Sequence, residues 1–567
     1  MLFNPATFGP HTKRPANTVN INLKPVKMKL LPALILSAIL ALLILYFSLP
    51  VLNIRFLGWP FALAFVLLPL LGVRRFWRWL KYVYLFLAVW VFIALLISSP
   101  IFRAQSYRKL IGEVDITNFN ELISPVSLDQ IPTVDRPYAE ALAEKKLGED
   151  FALGSRVTLG RATRQMVQGR LFWVVPLLHS GFFKWLTNRR DGTPAYIMVS
   201  ATNAQDISFV REVSGKPLRI VYQPNAYFGQ NLYRHLWLHG YSTIGLGGPT
   251  FEVDNSGEPY WTITTYTHRV GVRGQEGTGL ATIHAGTGQI SFYPLVKSGS
   301  GWSDARIPAW VDRIQPAEFV LPQLDWWGHY VKGYWNTLFG KRNMLMVTEG
   351  YNIIYGSDGR SYFYTGMSSV GSDEGTVGFM LTDTRNKSTH FYRLSGATEY
   401  AAMESAEGKV QNFKYSATFP ILVNLNGIGT YFMTLKDGAG LVKQFAFVSV
   451  KDFSLVGVGE SIKAARDNYQ MTLASSQAGV LSAGSAERIS LSGTVSRIGS
   501  DIKEARAYYY LSLAEKPGLV FIATSDLSSF LPVTSPGDRV RVQYLDTRDK
   551  EVNLVALVNE SLETPAP

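Results

Sequence analysis

LLPALILSAILALLILYFSL, residues 30–49, holds no charged side chain over a length that reaches about 30 Å as a helix, enough to cross the hydrocarbon core of a bilayer. Two further apolar runs follow. The first, roughly 56–73, is punctuated by Pro60 and Pro69, which neighbouring helices accommodate in a membrane. The second, roughly 82–100, places Tyr82, Tyr84 and Trp90 where interface or packing positions are expected. The helical core of a soluble protein is the competing reading, and three uncharged runs within about one hundred residues argue against it.

Charge then sets an orientation. The first 103 residues carry eleven lysines and arginines and no aspartate or glutamate; taking those eleven from 55 leaves 44 basic against 43 acidic residues in the rest of the chain. The apparent basicity of the whole therefore belongs to the leader. Lys13, Arg14, Lys24, Lys27 and Lys29 precede the first run, and Arg74, Arg75, Arg78 and Lys81 join the second to the third. Arg55, Arg103, Arg108 and Lys109 fall on the other side. Nine cations against four favour a cytoplasmic N-terminus, and three crossings then place residues from 104 onward outside the cytoplasm. A cleaved signal peptide fits less well, because the first run is too long and no small-x-small pattern follows it.

The chain has no cysteine, which fits an exported body that avoids disulfide chemistry and removes thiolate catalysis and cysteine-ligated zinc. A body of this length predicts more than one domain. Residues 104–170 read as a transition segment with one short amphipathic helix. From about 171 to 474 the chain is rich in aromatic and β-branched residues, which favour strands. One arrangement recurs four times, as an aromatic-led strand, a polar connection and a second apolar strand: LFWVVPLL (171–178) with PAYIMVSATNAQD (194–206), PYWTITTYT (259–267) with GLATIHAGTGQISFYPL (279–295), SYFYTGMSS (361–369) with TVGFMLTDTRNKSTHFYRL (376–394), and GTYFMTLKD (429–437) with KQFAFVSVKDFSLVGV (443–458). Helical patterns interrupt at 310–335, 396–411 and 459–470. Antiparallel strands with helices against one face predict an α+β ectodomain.

These β–turn–β–helix units, ending in a strand such as FMLTDTRNKSTHFY, resemble PepSY-type modules of bacterial envelope proteins. The stretch from ALGSRVTLG to GVGESIKAARDNYQ, some 320 residues, also resembles an uncharacterised family of bacterial membrane-anchored proteins with a large extracytoplasmic domain. The words that carry the likeness are GFFKWL, YQPNAYFGQNLYRHL, PAWVDRIQP, WGHYVKGYWN, TEGYNIIYGSDGRSYFYTG, VGSDEGTVGF, GATEYAAMESAEGKVQ and TYFMTLKDGAGLVKQFAFVSV. The PepSY likeness implies peptide or peptidase contact, with inhibitory or chaperone-like roles; neither likeness assigns a reaction or a functional residue.

Beyond a small, polar linker at 475–486, five strand-like runs with one short helical insertion between 487 and 563 suit an OB-like barrel. Mixed surface charge and the far side of the membrane argue against nucleic acid as its ligand. The expected organisation is thus a tail (1–28), a three-helix anchor (29–103), the transition segment (104–170), a β-rich ectodomain of four units (171–474), the linker and the barrel.

Candidate sites are few. His235 and His239 lie four apart, as on one face of a metal-binding helix, but HExxH is missing and packing is the stronger reading. Asp325 and His329 are also four apart and offer a carboxylate–imidazole pair; the neighbouring Trp326, Trp327, Tyr330, Tyr334 and Trp335 form either helix anchors or a binding surface. Asp358, Asp373 and Glu374 sit beside glycines, in oxygen-rich loops of the kind hard cations favour, or in ordinary turns. No GxSxG, GxxxxGK[ST] or GxGxxG motif occurs, and no cofactor is expected.

The sequence therefore favours a non-enzymatic, membrane-anchored scaffold or binding protein of the cell envelope. Its expected partners are the bilayer and peptides or proteins, with self-association or a larger complex open. An envelope hydrolase using Asp325 and His329, or Asp358, Asp373 and Glu374, is the alternative.

Overall fold

The computed structural model describes residues 28–118, 131–298, 301–356, 359–371, 375–425, 428–475, 488–503, 506–525, 527–545 and 550–562. The tail and the linker expected from sequence lie almost wholly outside them. The chain divides into two compact units, Met1–Pro50 with Leu57–Ile93, and Val51–Phe56 with Ala94–Pro567.

The first unit is helical. Leu30–Phe47 and Arg74–Ile97, the latter running into the second unit, are the two helices long and apolar enough to cross a membrane. Leu31 and Leu42 are each 69% exposed and Phe92 65%, so among the described residues nothing covers these apolar positions. The middle run, expected as a third span, folds as an α-helix over Gly58–Leu67 and a tighter 3-10 turn over Leu68–Gly72. Pro69 is the physical reason, since it has no amide for the i−4 carbonyl. The change of hydrogen bonding releases the Ala64 carbonyl, which accepts the Tyr84 hydroxyl at 2.6 Å.

The second unit is a mixed, β-rich body. All four strand pairs expected from sequence are hydrogen-bonded and antiparallel, with Phe172 opposite Ser200, Tyr260 opposite His284, Tyr362 opposite Asp383 and Tyr431 opposite Val448. Each belongs to a different sheet. In the first, Thr163–Val167 and Arg170–His179 form a hairpin whose two-residue turn, Gln168 and Gly169, has positive φ at both positions, matching the twist of the strands. The second runs Ile290–Pro294, Arg273–His284, Pro259–Val270, Gly245–Val253. Its central turn is fixed by Ser98, whose Oγ accepts the Val272 amide at 2.9 Å while Gly271 takes a φ of 61°.

The third sheet contains Thr389–Ala397, Gly375–Asp383 and Ser361–Ser369, with Asn352–Tyr355 as an outer strand. The fourth contains Ile428–Lys436 and Val442–Ser449, with Ile421–Leu425 outermost. Helices cover these sheets through small or aromatic faces: Ala139 and Ala143 of Arg136–Gly148 on Val175 and Ile197, and Ala402 and Ala406 of Glu399–Lys409 on Phe379 and Tyr431.

Within the expected transition segment, the described residues 114–118 and 157–159 pair with strands of this body. Val114–Asn118 lies parallel to Thr389–Ala397, and Val157–Leu159 pairs with Arg170–His179. At the C-terminal end, Arg488–Lys503, Arg506–Leu513, Val520–Thr524, Arg539–Leu545 and Glu551–Asn559 close into a five-stranded barrel. Where a helical insertion is expected, the described residues hold the 3-10 turn Leu531–Val533.

Candidate functional site

The first, third and fourth sheets converge on a cavity of about 280 Å³, to which the segment Pro132–Arg136 also contributes. Trp173 of the first sheet forms one wall, its indole nitrogen donating to the Val134 carbonyl at 2.7 Å. Asn352 and Ile353 come from the outer strand of the third sheet, and Ile421, Phe432 and Met433 from the fourth. Tyr351, Thr418 and Phe419 complete the rim.

Three arginines enter this cavity from different elements. Arg164 lies in the buried strand Thr163–Val167 and is 6% exposed. Its Nη2 donates to the Ile353 carbonyl and to Asn352 Oδ1, and its guanidinium carbon lies 5.3 Å from the centre of the Trp173 ring. Arg136 reaches the same ring at 5.9 Å. Arg313 donates through Nη2 to the Arg164 carbonyl at 3.0 Å. The Nε of each of the three is buried and has no hydrogen-bond partner among the described residues. Asp135 is the acid lining the cavity; it accepts Lys436 Nζ at 2.5 Å and caps the helix Arg136–Gly148 through the Tyr138 amide.

Burial pushes the Arg164 guanidinium down to about 10; the neighbouring Tyr355 opposes this, and Arg313 and Arg136 add to it. Arg136 is lowered by burial and then by Arg161 and Arg313. Arg164 stays cationic at neutral pH. The site therefore combines three guanidinium groups with aromatic walls, an arrangement that can receive an anionic group attached to an apolar or extended chain.

Behind it lies a second charged layer. Asp312 Oδ2 accepts the Met166 amide at 2.8 Å and the Tyr355 hydroxyl at 2.9 Å. Burial raises Asp312 to about 6, and burial together with Asp312 raises Glu252 to about 7. Neither carboxyl lines the cavity.

The residues singled out from sequence lie elsewhere. Asp325 Oδ1 accepts the Val347 amide at 3.3 Å, the His329 ring stacks edge-on against Tyr330, and no hydrogen bond joins Asp325 to His329 among the described residues. Trp326 packs on Tyr107 with ring centres 4.7 Å apart, Trp327 on Phe391 at 5.8 Å, and Tyr330 and Tyr334 join the cluster around Tyr107. Trp335 is 61% exposed and stacks on Phe339. The His235 and His239 rings lie 4.3 Å apart, but His235 Nε2 is bonded to the Gly288 carbonyl and His239 Nδ1 to the His235 carbonyl. The helix leaves α geometry at His239, and among the described residues no group of three or more metal-ligating side chains forms. Asp358, Asp373 and Glu374 lie outside the described residues.

The arginine pocket escapes sequence reading because its members are brought together only by tertiary contact. Two local signs exist. Arg136 stands at the first position of a helix, where the dipole disfavours a cation, and Arg164 stands in an otherwise buried strand.

No protein-family model matches the chain, and no curated protein matches it. Among solved structures, the crystal structure of polysaccharide lyase Uly1 aligns at 10% identity over 78% of this chain and 92% of that chain, with a TM-score of 0.13, a likeness too slight to carry an argument.

Proposed function

We propose that this is a membrane-anchored binding protein of the bacterial envelope, with its N-terminus in the cytoplasm and its body outside, and that the arginine-lined cavity receives an extended segment of a peptide or protein partner. The supporting observation is the cavity itself, in which aromatic walls and cations meet two outermost strands, Asn352–Tyr355 and Ile421–Leu425, each paired on one side among the described residues. An extended chain gains main-chain hydrogen bonds from such strands and specificity from the pocket. In this reading the repeated strand pairs are PepSY-like modules, and the terminal barrel, with neighbours in the order first, second, third, fifth, fourth, is OB-like.

The test replaces Phe419, on the cavity rim, with a photo-crosslinking amino acid in living cells, and Phe183, which is 78% exposed, as the control. Light-dependent adducts containing peptide are expected at position 419 and not at 183. Equal yields at both positions, or none at 419, reject the reading. Orientation is tested separately: protease added to intact spheroplasts is expected to digest the body, and protection until lysis rejects the topology.

A further inference from the structure

Three guanidinium groups lining one cavity repel one another, and the burial of Arg164 weakens the screening by water there. Arg164 is buried, and its Nε, like those of Arg136 and Arg313, has no hydrogen-bond partner among the described residues. The acid on the cavity wall, Asp135, is committed to Lys436 and to the helix cap. Arg136 adds a cation where the helix dipole opposes one. Asp312 offsets Arg164 and Arg313 from behind and Glu140 offsets Arg136, but neither acid lines the cavity, whose lining holds no uncommitted carboxylate, and the planar fork of a guanidinium matches the two oxygens of a carboxylate.

We propose that Arg136, Arg164 and Arg313 clamp a carboxylate, so that the extended segment taken by the cavity carries an acidic side chain or its C-terminal carboxylate at that point. This rests on the peptide-binding reading above and adds the charge of the ligand. Trp173, already held in place by Val134 and approached by two of the arginines, supplies the rigid floor against which the clamp is positioned.

The test uses the full-length protein in detergent micelles and an immobilised peptide library with random flanks and glutamate, glutamine or phosphoserine at the centre. Glutamate peptides are expected to be retained about tenfold more than glutamine peptides. Arg136→Gln removes a side chain with no hydrogen bond of its own among the described residues, and is expected to abolish that preference without unfolding the protein. Arg313→Gln gives the same loss. Equal retention of glutamate and glutamine peptides by the wild type overturns the clamp and leaves the peptide reading standing. Retention of no peptide above bare support overturns both. Preference for phosphoserine over glutamate, reversed by inorganic phosphate, overturns the carboxylate assignment.

Discussion

Glu252 accepts the backbone amide of Asp312 through Oε2 at 3.1 Å, so that two carboxyl groups share one interior behind the arginine cavity. The Glu252 Oε1 atom is engaged by the Thr262 hydroxyl at 3.2 Å, and Glu252 is 0% exposed. Both carboxyls are held above their ordinary range, to about 7 for Glu252 and about 6 for Asp312, chiefly by burial.

Folded-state values above the unfolded ones mean that the protonated forms favour folding. Their contribution is complete below the unfolded value near pH 4 and is lost as pH rises through 6 and 7. Glu252→Gln is expected to retain the contacts, donating to Thr262 and accepting from Asp312, and to flatten this part of the profile. The difference from wild type at pH 8 is on the order of 2 kcal/mol in favour of the variant. Thermal melting of both proteins between pH 5 and 8 checks it, and parallel curves sink the assignment. His179, His235 and His268, lowered by burial, act in the opposite sense, but they are common to both proteins and cancel in the comparison.

Gly271→Ala is expected to be costly. A Cβ there meets Ser98 Oγ at 2.1 Å, and the residue has a φ of 61°. Gly215, with a φ of 73° and nothing within 4 Å, is the matched control, since alanine there meets only backbone strain. Gly271→Ala is expected to lower stability by about 2 kcal/mol more than Gly215→Ala. Melting temperatures of the two variants decide it.

Lys387 is 3% exposed and donates through Nζ to the Leu110 carbonyl at 2.7 Å, to Gln323 at 3.2 Å and to Glu276 at 3.3 Å. Glu276 is held also by Arg269 Nε at 2.6 Å. Lys387→Met is expected to cost about 3 kcal/mol, because it leaves a buried carboxylate with one partner fewer and the Leu110 carbonyl without its donor. Adding Glu276→Gln recovers part of that loss. A double-mutant cycle in denaturant measures the coupling, and strict additivity argues against it.

The aromatic run on the helix Ala317–His329 and beyond separates into anchors and an exposed end. Trp326→Ala, which removes the contact with Tyr107, is expected to cost about 3 kcal/mol. Trp335→Ala, at a position 61% exposed, is expected to stay within about 0.5 kcal/mol of wild type. Chemical denaturation checks both, and equal effects contradict the division.

The strand pairs were legible because each is coded locally. In SYFYTGMSS and TVGFMLTDT, aromatic and β-branched residues concentrate in short runs bounded by turn formers, and the hairpins follow from the chain direction. The helices Glu399–Lys409 and Ile462–Ser475 were legible through apolar residues four apart, Ala402 and Ala406 in the first and Ala465, Tyr469 and Leu473 in the second. Val114–Asn118 was not, because a five-residue strand whose partner is Thr389–Ala397 carries no mark of that partner. The cavity belongs to the same class: the Arg313 bond to Arg164 spans 149 positions, and single arginines in a sequence read as surface charge. Carboxylate–histidine spacing gave a stronger local signal at Asp325 and His329, yet side chains four apart on a helix need not point at each other once one of them, here Asp325, is drawn to the Val347 amide.

The parallel pairing of Val114 with Thr389 also bears on biosynthesis. A ribosome releases the earlier strand long before its mate exists, and at ordinary elongation speeds the wait is on the order of tens of seconds. During that interval Val114–Asn118 is a strand with unpaired backbone groups, a target for holdase chaperones, and it can take its place at the edge of the third sheet only once translation has passed Ala397.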